Sequence, residues 1–428
     1  MAKCTPEEII QAVQHHADET DGLRVRMESD YELYNLAEYD AGDGYESYTS
    51  NSPQVYADKI VGWLTNHEII IRMPYNNSHE IDRLRFDAKE KFLIGLLRAN
   101  DERLTLINEP SAQQQLCWFI AMRGWYAGRA LLMKDDDGAT YADFTPWDPL
   151  HTFWCMDNKG LDWACYRIRK TRTEIESEYP DFKLEEGMST HTGFDEIGID
   201  VYDYYDKEEN CVVIQGSFAK EPTPHGAGRV PVIVGAVGSQ PQIQPRLMNR
   251  YSTDTCANYG ESIFKSNREL FARNNFMMSV MLELVARARK QGIVVRSRDG
   301  SKTLDEDPYQ AGAEISLAEG EDVAPLGLME MARESSAFMG LVSGEIQRGS
   351  LPYSVYGELQ FQLSGFAINT LRQGIETVIQ PRLKSLANAY LQICNLFSDQ
   401  YASGSFQAMQ LAGWANNRNW FDEMIEPN

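Results

Sequence analysis

Two segments begin like the HExxH motif, in which two histidines on one helical face bind zinc and the glutamate acts as a base. They are HEIII at residues 67–71 and HEIDR at residues 79–83, and neither has the second histidine. A zinc site needs three or four side-chain ligands. The two segments therefore predict no metal centre.

The run Asp135-Asp136-Asp137-Gly138 has the carboxylates of a calcium-binding loop. Such a loop alternates its ligands along the chain and ends on a distal glutamate, and both features are missing here. Aspartate followed by glycine is also a frequent hairpin turn. We expect a turn between two strands at this position.

Cys117 and His151 could act as a thiol nucleophile and its base if the fold brought them together. Cys117 lies in the apolar segment LCWF, and no feature of the sequence links it to His151. We expect both residues to be structural. The sequence also lacks a GxxxxGK[ST] phosphate loop and a GxGxxG segment after a strand. No cofactor is predicted, and we do not expect an enzyme.

The 428 residues carry a formal net charge of −23, and 43% of them are hydrophobic. This hydrophobic content is typical of a folded chain, and the length allows more than one structural unit. A strongly acidic surface repels nucleic acid and anionic membranes on average. The composition therefore disfavours a protein that binds DNA by reading its sequence.

The seven cysteines are widely spaced and odd in number, which is typical of reduced thiols rather than of a disulfide framework. Glu7, Glu8 and Asp18 interrupt the region where a signal peptide would have its apolar core. We therefore expect synthesis in the cytoplasm.

The first 255 residues alternate between short helical and strand patterns. Helices are predicted at residues 5–16, 53–64, 81–99, 111–126 and 171–179, and strands at residues 69–73, 130–133, 152–156, 163–169, 201–205 and 211–215. Residues 40–52 and the proline- and glycine-rich residues 221–245 are expected to be loops. This mixture predicts an α+β fold.

Residues 261–290 have the pattern of a long amphipathic helix. Ile263, Leu270 and Met277 belong to one apolar row, and Phe264 and Phe271 belong to a second row beside it. A helix of this length would extend about 45 Å. Charged residues within it exclude a membrane span, so its broad apolar face needs a long partner.

Residues 328–347 repeat apolar residues at the same spacing and can supply that partner. Between the two helices, residues 293–295 form a β-branched run, Asp299-Gly300 is a turn pair and residues 313–317 are a second strand candidate. The predicted order is therefore a helix, a small β-rich insert and a second helix.

A glycine- and proline-containing stretch follows the second helix, with Gly349, Pro352 and Gly357 favouring a loop. Helical periodicity then continues to residue 397 with Pro381 inside it. Because proline removes a backbone donor and clashes with the preceding turn, we expect a kink there. Residues 406–412 are a further helix candidate.

This order of elements resembles the portal protein of tailed bacteriophages. The resemblance covers most of the chain as an architecture and is most specific at Pro352, Gly357 and the segment SGFA at residues 364–367. It implies a multi-part fold with a mixed wing at residues 1–255, stem helices at 256–291 and 326–348, a β-rich clip at 292–325, a tunnel loop at 349–364, a kinked wing helix at 365–400 and a helical crown region at 401–428.

The same resemblance implies roles for particular residues. Those that would pack the stem are Phe271, Met278, Met281, Phe338 and Val342. Those of the tunnel loop that would face DNA are Ser350, Leu351, Pro352, Tyr353 and Tyr356. Those of the clip that would dock partner proteins are Asp305, Glu306 and Asp307.

A portal subunit would form a ring of twelve copies at one capsid vertex of the virion. By the same resemblance, double-stranded DNA would pass through the ring during packaging and ejection without sequence specificity. The other expected partners are the packaging motor, the major capsid protein and tail or neck adaptor proteins, with no membrane. Two alternatives stay open: an intracellular enzyme with a helical oligomerisation module, which a titratable cluster in a cleft would favour, and a scaffold without a channel.

Overall fold

The computed structural model describes residues 4–42, 46–73, 80–135, 137–184, 198–238, 259–289, 293–297, 300, 304, 315–325, 333–351 and 365–426. Helices account for 45% of the chain and strands for 25%. The protein is therefore a mixed α and β structure with several small sheets, which agrees with the predicted α+β class at this coarse level.

The helices are α1 (Pro6–Glu19), α2 (Asp21–Tyr34), α3 (Ser52–Thr65), α4 (Glu80–Leu106), α5 (Ala112–Met122), α6 (Arg172–Glu178), α7 (Arg268–Arg289), α8 (Arg333–Gly349) and α9 (Gly365–Ala402). The strands are β1 (Trp125–Lys134), β2 (Thr140–Trp147), β3 (Thr152–Asp157), β4 (Gly160–Lys170), β5 (Ile199–Tyr205), β6 (Glu209–Ile214), β7 (Ser217–Pro224), β8 (Val232–Ala236), β9 (Ile293–Arg296), β10 (Asp322–Pro325), β11 (Met409–Trp414) and β12 (Trp420–Ile425).

The chain divides into two compact units. The first consists of Met1–Tyr31, Ala57–Lys265 and Leu363–Asn428, and the second of Glu32–Tyr56 and Ser266–Gln362. Most of the segment predicted as helix, insert and helix falls in the second unit.

The first unit is built on two antiparallel sheets. β1 lies between β2 and β8 in one sheet, and β3 to β7 follow one another in the other. Helix α1 packs against β3, whereas α5 and α9 pack against β1. The core between these layers contains the stacked rings of Trp147 and Tyr166, 4.9 Å apart, and the buried Tyr205.

Arg129 on β1 connects the two sheets through buried polar contacts. Its guanidinium pairs with Asp143 on β2 and donates to the hydroxyl of Tyr205 on β5 at 3.0 Å. The Asp203 carboxylate lies 3.5 Å from the same guanidinium and accepts a hydrogen bond from Asn210 at 2.9 Å. Burial raises the pKa of Asp203, and the Arg129 charge opposes that shift. The network therefore satisfies charges that the core would otherwise leave unpaired.

Helix α1 begins with a capping box, as its sequence allows. The Thr5 hydroxyl accepts from the backbone N–H of Glu8, and the Glu8 carboxylate accepts from the backbone N–H of Thr5. Two donors that the first helical turn leaves free are satisfied in this way. Ile9 and Val13 then face the five-stranded sheet and are buried.

Beyond Ala402, the described part of the C-terminal crown region at residues 401–428 is not helical. Helix α9 ends at Ala402, and β11 and β12 then form an antiparallel hairpin in which Trp414 pairs with Trp420. The helix expected at residues 406–412 is therefore wrong. Leu411 and Phe421 face α4, where Gly95 permits close approach: a Cβ on Gly95 would lie 2.7 Å from the Leu411 Cβ. Packing on α4 thus selects strands here.

The first long helix is shorter than predicted. Its expected start at residue 261 is wrong, because the chain forms turns up to residue 267 and α7 begins at Arg268. Backbone N–H groups of Glu261 and Ile263 donate to the carbonyls of Val237 and Ala121 at 2.8 and 2.9 Å. These bonds hold the segment outside a helix. With 22 residues, α7 extends roughly 33 Å.

Three further element predictions are also wrong. Residues 69–73 form no strand, and Ile70 is 57% exposed. The helix predicted at residues 111–126 ends at Met122, because Gly124 has a φ of +69° and Trp125 starts β1. Residues 315–317 of the candidate strand 313–317 are not in a strand.

The second unit contains α7, α8 and a two-stranded hairpin. The partner of β9 is β10, with Ile293 opposite Pro325 and Arg296 opposite Asp322. Helices α7 and α8 pack against each other. The order helix, β insert and helix predicted from the sequence is therefore present.

Helix α9 includes Pro381 and is helical on both sides of it. The Ser385 hydroxyl donates to the Pro381 carbonyl at 3.1 Å, and the Arg382 guanidinium donates to the carbonyls of Val378 at 2.9 Å and Ser262 at 3.1 Å. Two of these bonds are to carbonyls of α9 near the proline, and the third joins the helix to the turn before α7. The kink stays a prediction.

Candidate functional site

The possible thiol nucleophile has the wrong electrostatic environment. Cys117 on α5 is fully buried, and burial raises the pKa of its thiol to about 12. A reactive cysteine needs a lowered pKa and solvent access. Cys117 is a core residue, as the sequence predicts.

Two other chemistry-bearing motifs have structural roles, whereas His79 of the HEIDR segment lies outside the described residues. The His67 Nδ1 lies 2.7 Å from the carbonyl oxygen of Trp63, one turn earlier in α3. The backbone N–H of Gly138 donates to the Asp135 carbonyl at 2.8 Å, which forms the turn predicted between β1 and β2. Among the described residues, no three His, Cys, Asp or Glu side chains are grouped so that they could hold a metal ion.

No helix in the described ranges is both long and apolar enough to cross a membrane.

One face of α7 is buried by a mixture of apolar and polar residues. Phe271 is 1% exposed. On the same face, the Asn275 Oδ1 accepts from the backbone N–H of Ser50 at 3.0 Å, and the Ser279 hydroxyl accepts from that of Tyr48 at 2.9 Å. These contacts satisfy backbone donors of the extended segment 46–51. The buried face of α7 is therefore occupied within its own unit.

The opposite side of α7 carries large apolar residues that the unit does not cover. Phe276 is 49% exposed and Val280, one turn later, is 39% exposed. At 100° per residue, both point away from the side that carries Phe271 and Asn275. The single chain thus leaves Phe276 and Val280, one apolar row of this helix, in contact with water.

Helix α8 has the same division. Val342 is 6% exposed and faces the interior of the unit, whereas Phe338 is 50% and Leu341 is 66% exposed. Ion pairing of Arg348 with Glu345 at 2.6 Å marks the solvent side of the helix near these residues. The exposed apolar pair is therefore set among polar groups, as at many protein interfaces.

A groove of about 490 Å³ opens in the second unit on the other side of α8. Its apolar lining includes Phe271, Met278, Ile346 and Leu351. Serine, asparagine, glutamine and tyrosine side chains supply the rest, and none of the described lining residues is charged. In a chain with a net charge of −23, an uncharged groove of this size fits an apolar side chain better than an ionic ligand.

The exposed pair and the groove point in different directions. Phe338 precedes the groove residue Ser343 by five positions, which corresponds to about 140° around the helix. Leu341 and Gln347 differ by six positions, or about 120°. A projecting apolar surface and an uncharged recess therefore lie on separate sides of one helix.

The structure places the predicted site residues unevenly. Of the stem set, Phe271 and Val342 are buried, Met278 and Met281 are partly buried, and Phe338 is exposed. Of the tunnel-loop set, Ser350 and Leu351 are described and line the groove. Leu351 is 1% exposed and packs within its own unit, so its side chain does not face a channel in this conformation.

The remaining predicted site residues lie outside the described residues. They are Pro352, Tyr353, Tyr356, Asp305, Glu306 and Asp307.

Sequence reasoning missed the docking of residues 46–51 onto α7. A signal was present, because Asn275 and Ser279 are four residues apart within an otherwise apolar face. Polar residues at helical spacing inside an apolar stripe indicate that backbone or polar groups pack there.

No family model matches the sequence. A search of curated proteins also finds no match.

Proposed function

We propose that this chain is the subunit of a ring-shaped portal, through which double-stranded DNA enters and leaves a bacteriophage capsid. The observation that carries the proposal is the helix pair α7 and α8, which is joined through the β9–β10 hairpin and exposes Phe276 and Phe338 to solvent. The stem and clip of a portal have this order. In this proposal the chain also has the wing, tunnel loop and crown of a portal subunit, with the boundaries that the resemblance implies.

The positions of the exposed residues favour a ring over a closed dimer. A symmetric dimer uses the same patch on both subunits, whereas a ring joins two different patches. Phe338 and Leu341 project on one side of α8, and the uncharged groove opens on another. A head-to-tail arrangement can insert the projecting residues of one copy into the groove of the next copy. The number of copies, twelve, comes from the resemblance alone.

The charge distribution is compatible with DNA in transit. Residues 292–325, the proposed clip, contain 8 acidic and 3 basic residues. A ring of lysines and arginines would hold phosphates through many simultaneous ion pairs and would bind tightly. An acidic or neutral channel lets the duplex slide. ATP hydrolysis would then be performed by a separate packaging motor, and tail or neck proteins would dock after packaging.

Imaging and mass measurement of the purified chain test the proposal. Negative-stain images should show rings with a central hole, and native mass spectrometry should show one closed oligomer. Monomers or symmetric dimers over a wide range of protein concentration would contradict it. Closed oligomers that show no central hole would favour the scaffold alternative.

A further inference from the structure

A second concave site lies in the first unit, between the end of α3 and α9. Its volume is about 480 Å³. The residues that define its chemistry are Trp63, His67, Glu68, Glu376, Ile379 and Leu383. None of the roles proposed above uses this site.

The site combines an aromatic ring, apolar walls and carboxylates. Trp63 and Leu383 are partly buried, and Ile379 is 3% exposed. Glu68 and Glu376 are exposed lining residues, the first just after the end of α3 and the second on α9. The described lining contains no lysine or arginine. A guest in this site therefore meets an apolar surface and a negative potential together.

The local structure around α3 fixes this arrangement. Helix α3 ends at Thr65, and the carbonyl groups at a helix C-terminus carry partial negative charge. The side-chain amide of Gln113 donates to the carbonyls of Thr65 at 3.0 Å and His67 at 2.7 Å. The turn that presents Glu68 is thus anchored to α5. The helix end adds to the negative potential of the two carboxylates.

We propose that this site binds an arginine side chain from a basic segment of a partner protein. A guanidinium is planar, stacks on an indole ring and pairs with carboxylates through two parallel hydrogen bonds. A lysine ammonium is a compact and strongly hydrated charge, which suits an apolar wall less well. The volume leaves room for residues that flank the arginine.

The overall charge of the chain supports a basic partner. With a net charge of −23, the protein attracts basic segments over the distance of the Debye length and gives them fast association. A second copy of this chain is equally acidic and is not the complementary partner. The inference concerns the first unit and does not depend on ring formation.

The test uses the full chain labelled with fluorotryptophan and followed by fluorine NMR. The Trp63 signal is the one that disappears in Trp63→Phe. An acetylated, amidated glycine peptide with one central arginine should shift this signal in a saturable way. The same peptide with citrulline, which has the shape of arginine without its charge, should not. A lysine peptide should bind at least about threefold more weakly.

Matched variants locate the binding. Glu68→Gln should weaken the arginine peptide about three- to tenfold, because it removes one carboxylate while it keeps the shape of the side chain. Glu109→Gln changes an exposed glutamate elsewhere and should leave binding unchanged. Both positions are on the surface, so both variants should fold.

Four results would overturn the proposal, and the first three concern the peptides and the variants. They are a Trp63 signal that does not respond to the arginine peptide, an equal response to citrulline, and equal weakening by Glu109→Gln. A saturable response to spermidine as strong as that to the arginine peptide would also overturn it, because it would indicate a small-polyamine site.

Discussion

Asn267, directly before α7, donates a hydrogen bond from its side-chain Nδ2 to the carbonyl oxygen of Ile346 on α8 at 2.7 Å. Gly349 lies against the same amide, since a Cβ on Gly349 would fall 2.7 Å from the Asn267 Cγ. One buried amide therefore joins the start of one helix to the end of the other. The missing side chain at Gly349 leaves room for it.

Gly349→Ala should displace this amide and lower the free energy of unfolding by about 1–3 kcal/mol, because buried polar groups lose their partner. Gly344→Ala on the same helix is the matched control, since nothing lies within 4 Å of its Cβ. Alanine there should be neutral or stabilise by up to about 1 kcal/mol through helix propensity. Urea denaturation of the unassembled subunit measures both. Equal effects of the two substitutions would contradict the packing.

Phe338→Asp and Leu341→Asp should prevent ring assembly while the subunit stays folded. Both side chains are at least half exposed in the single chain, so a carboxylate costs little until a neighbour covers it. Leu391→Asp, at a residue on α9 that is 60% exposed, is the control. Circular dichroism checks the fold, and native mass spectrometry checks assembly. Intact rings from both α8 variants would argue against this face.

Arg129→Met should destabilise the first unit by about 3 kcal/mol, because it leaves the Asp203 carboxylate buried without its cation and removes one of the two cations that pair with Asp143, which keeps Arg103 at 2.8 Å. Arg169→Met provides the comparison. Arg169 pairs with Asp200 at 2.9 Å, but its side chain is 69% exposed, and an exposed pair contributes little. Thermal unfolding of the two variants should therefore differ clearly. Similar melting temperatures would show that the network is not needed for stability.

The sequence predicted elements well where one periodicity dominated. Strands β5 and β6 and the order of helix, insert and helix in the second unit follow from apolar spacing and turn residues. The sequence-based predictions failed where contacts between residues far apart in the chain determine the secondary structure. Strand β8 lies inside a segment that was expected to be a loop. It forms a strand because it pairs with β1, more than 90 residues earlier in the chain. No local pattern at Val232–Ala236 contains that information.

The candidate site was predictable only in part. The apolar rows of α7 indicate a broad face, but the sequence does not tell which row its own unit covers. The backbone N–H groups of residues 48 and 50 donate hydrogen bonds to Ser279 and Asn275, so the row that carries these two residues is covered. Phe276 lies on the other side of the helix and stays exposed. The groove depends on three segments that are distant in sequence, so spacing alone could not reveal it.

His16 on α1 should make the first unit sensitive to acid. It packs 4.6 Å from the Trp154 ring, and burial, with help from Arg24 and His15, lowers its pKa from 6.5 to about 4. Between pH 6.5 and 4, His16 therefore binds a proton in the unfolded chain but not in the folded chain. Stability is complete above pH 6.5 and falls as the pH drops towards 4, by at most about 3 kcal/mol from this residue.

His16→Phe removes this titration and keeps an aromatic ring against Trp154. The free energy of unfolding should then fall less steeply between pH 6.5 and 4 than in the unmodified chain. Urea denaturation at several pH values measures the slope. Parallel curves for the two proteins would show that His16 is not the group responsible.

The predicted tunnel loop begins with two residues, Ser350 and Leu351, that are part of the folded second unit. The Ser350 hydroxyl donates to the Ile346 carbonyl at 2.7 Å, and the Leu351 side chain is buried, so both belong to the folded wall of the groove. A deletion that begins at Ser350 would therefore damage packing. The informative deletion removes residues 352–356 and leaves Leu351 in place.

This deletion should leave ring assembly and thermal stability unchanged but reduce the DNA retained by filled particles. The reason is that, in the proposed portal, this loop would touch phosphates and sugars without sequence preference and would hold the duplex in the channel. Leu351→Ala gives the opposite pattern, since loss of a buried leucine should cost about 2–5 kcal/mol of stability without changing the loop itself. DNA content per particle, measured after packaging in cells that supply only the variant subunit, separates the two. Particles that fill and hold a complete genome without residues 352–356 would refute the DNA-contacting role.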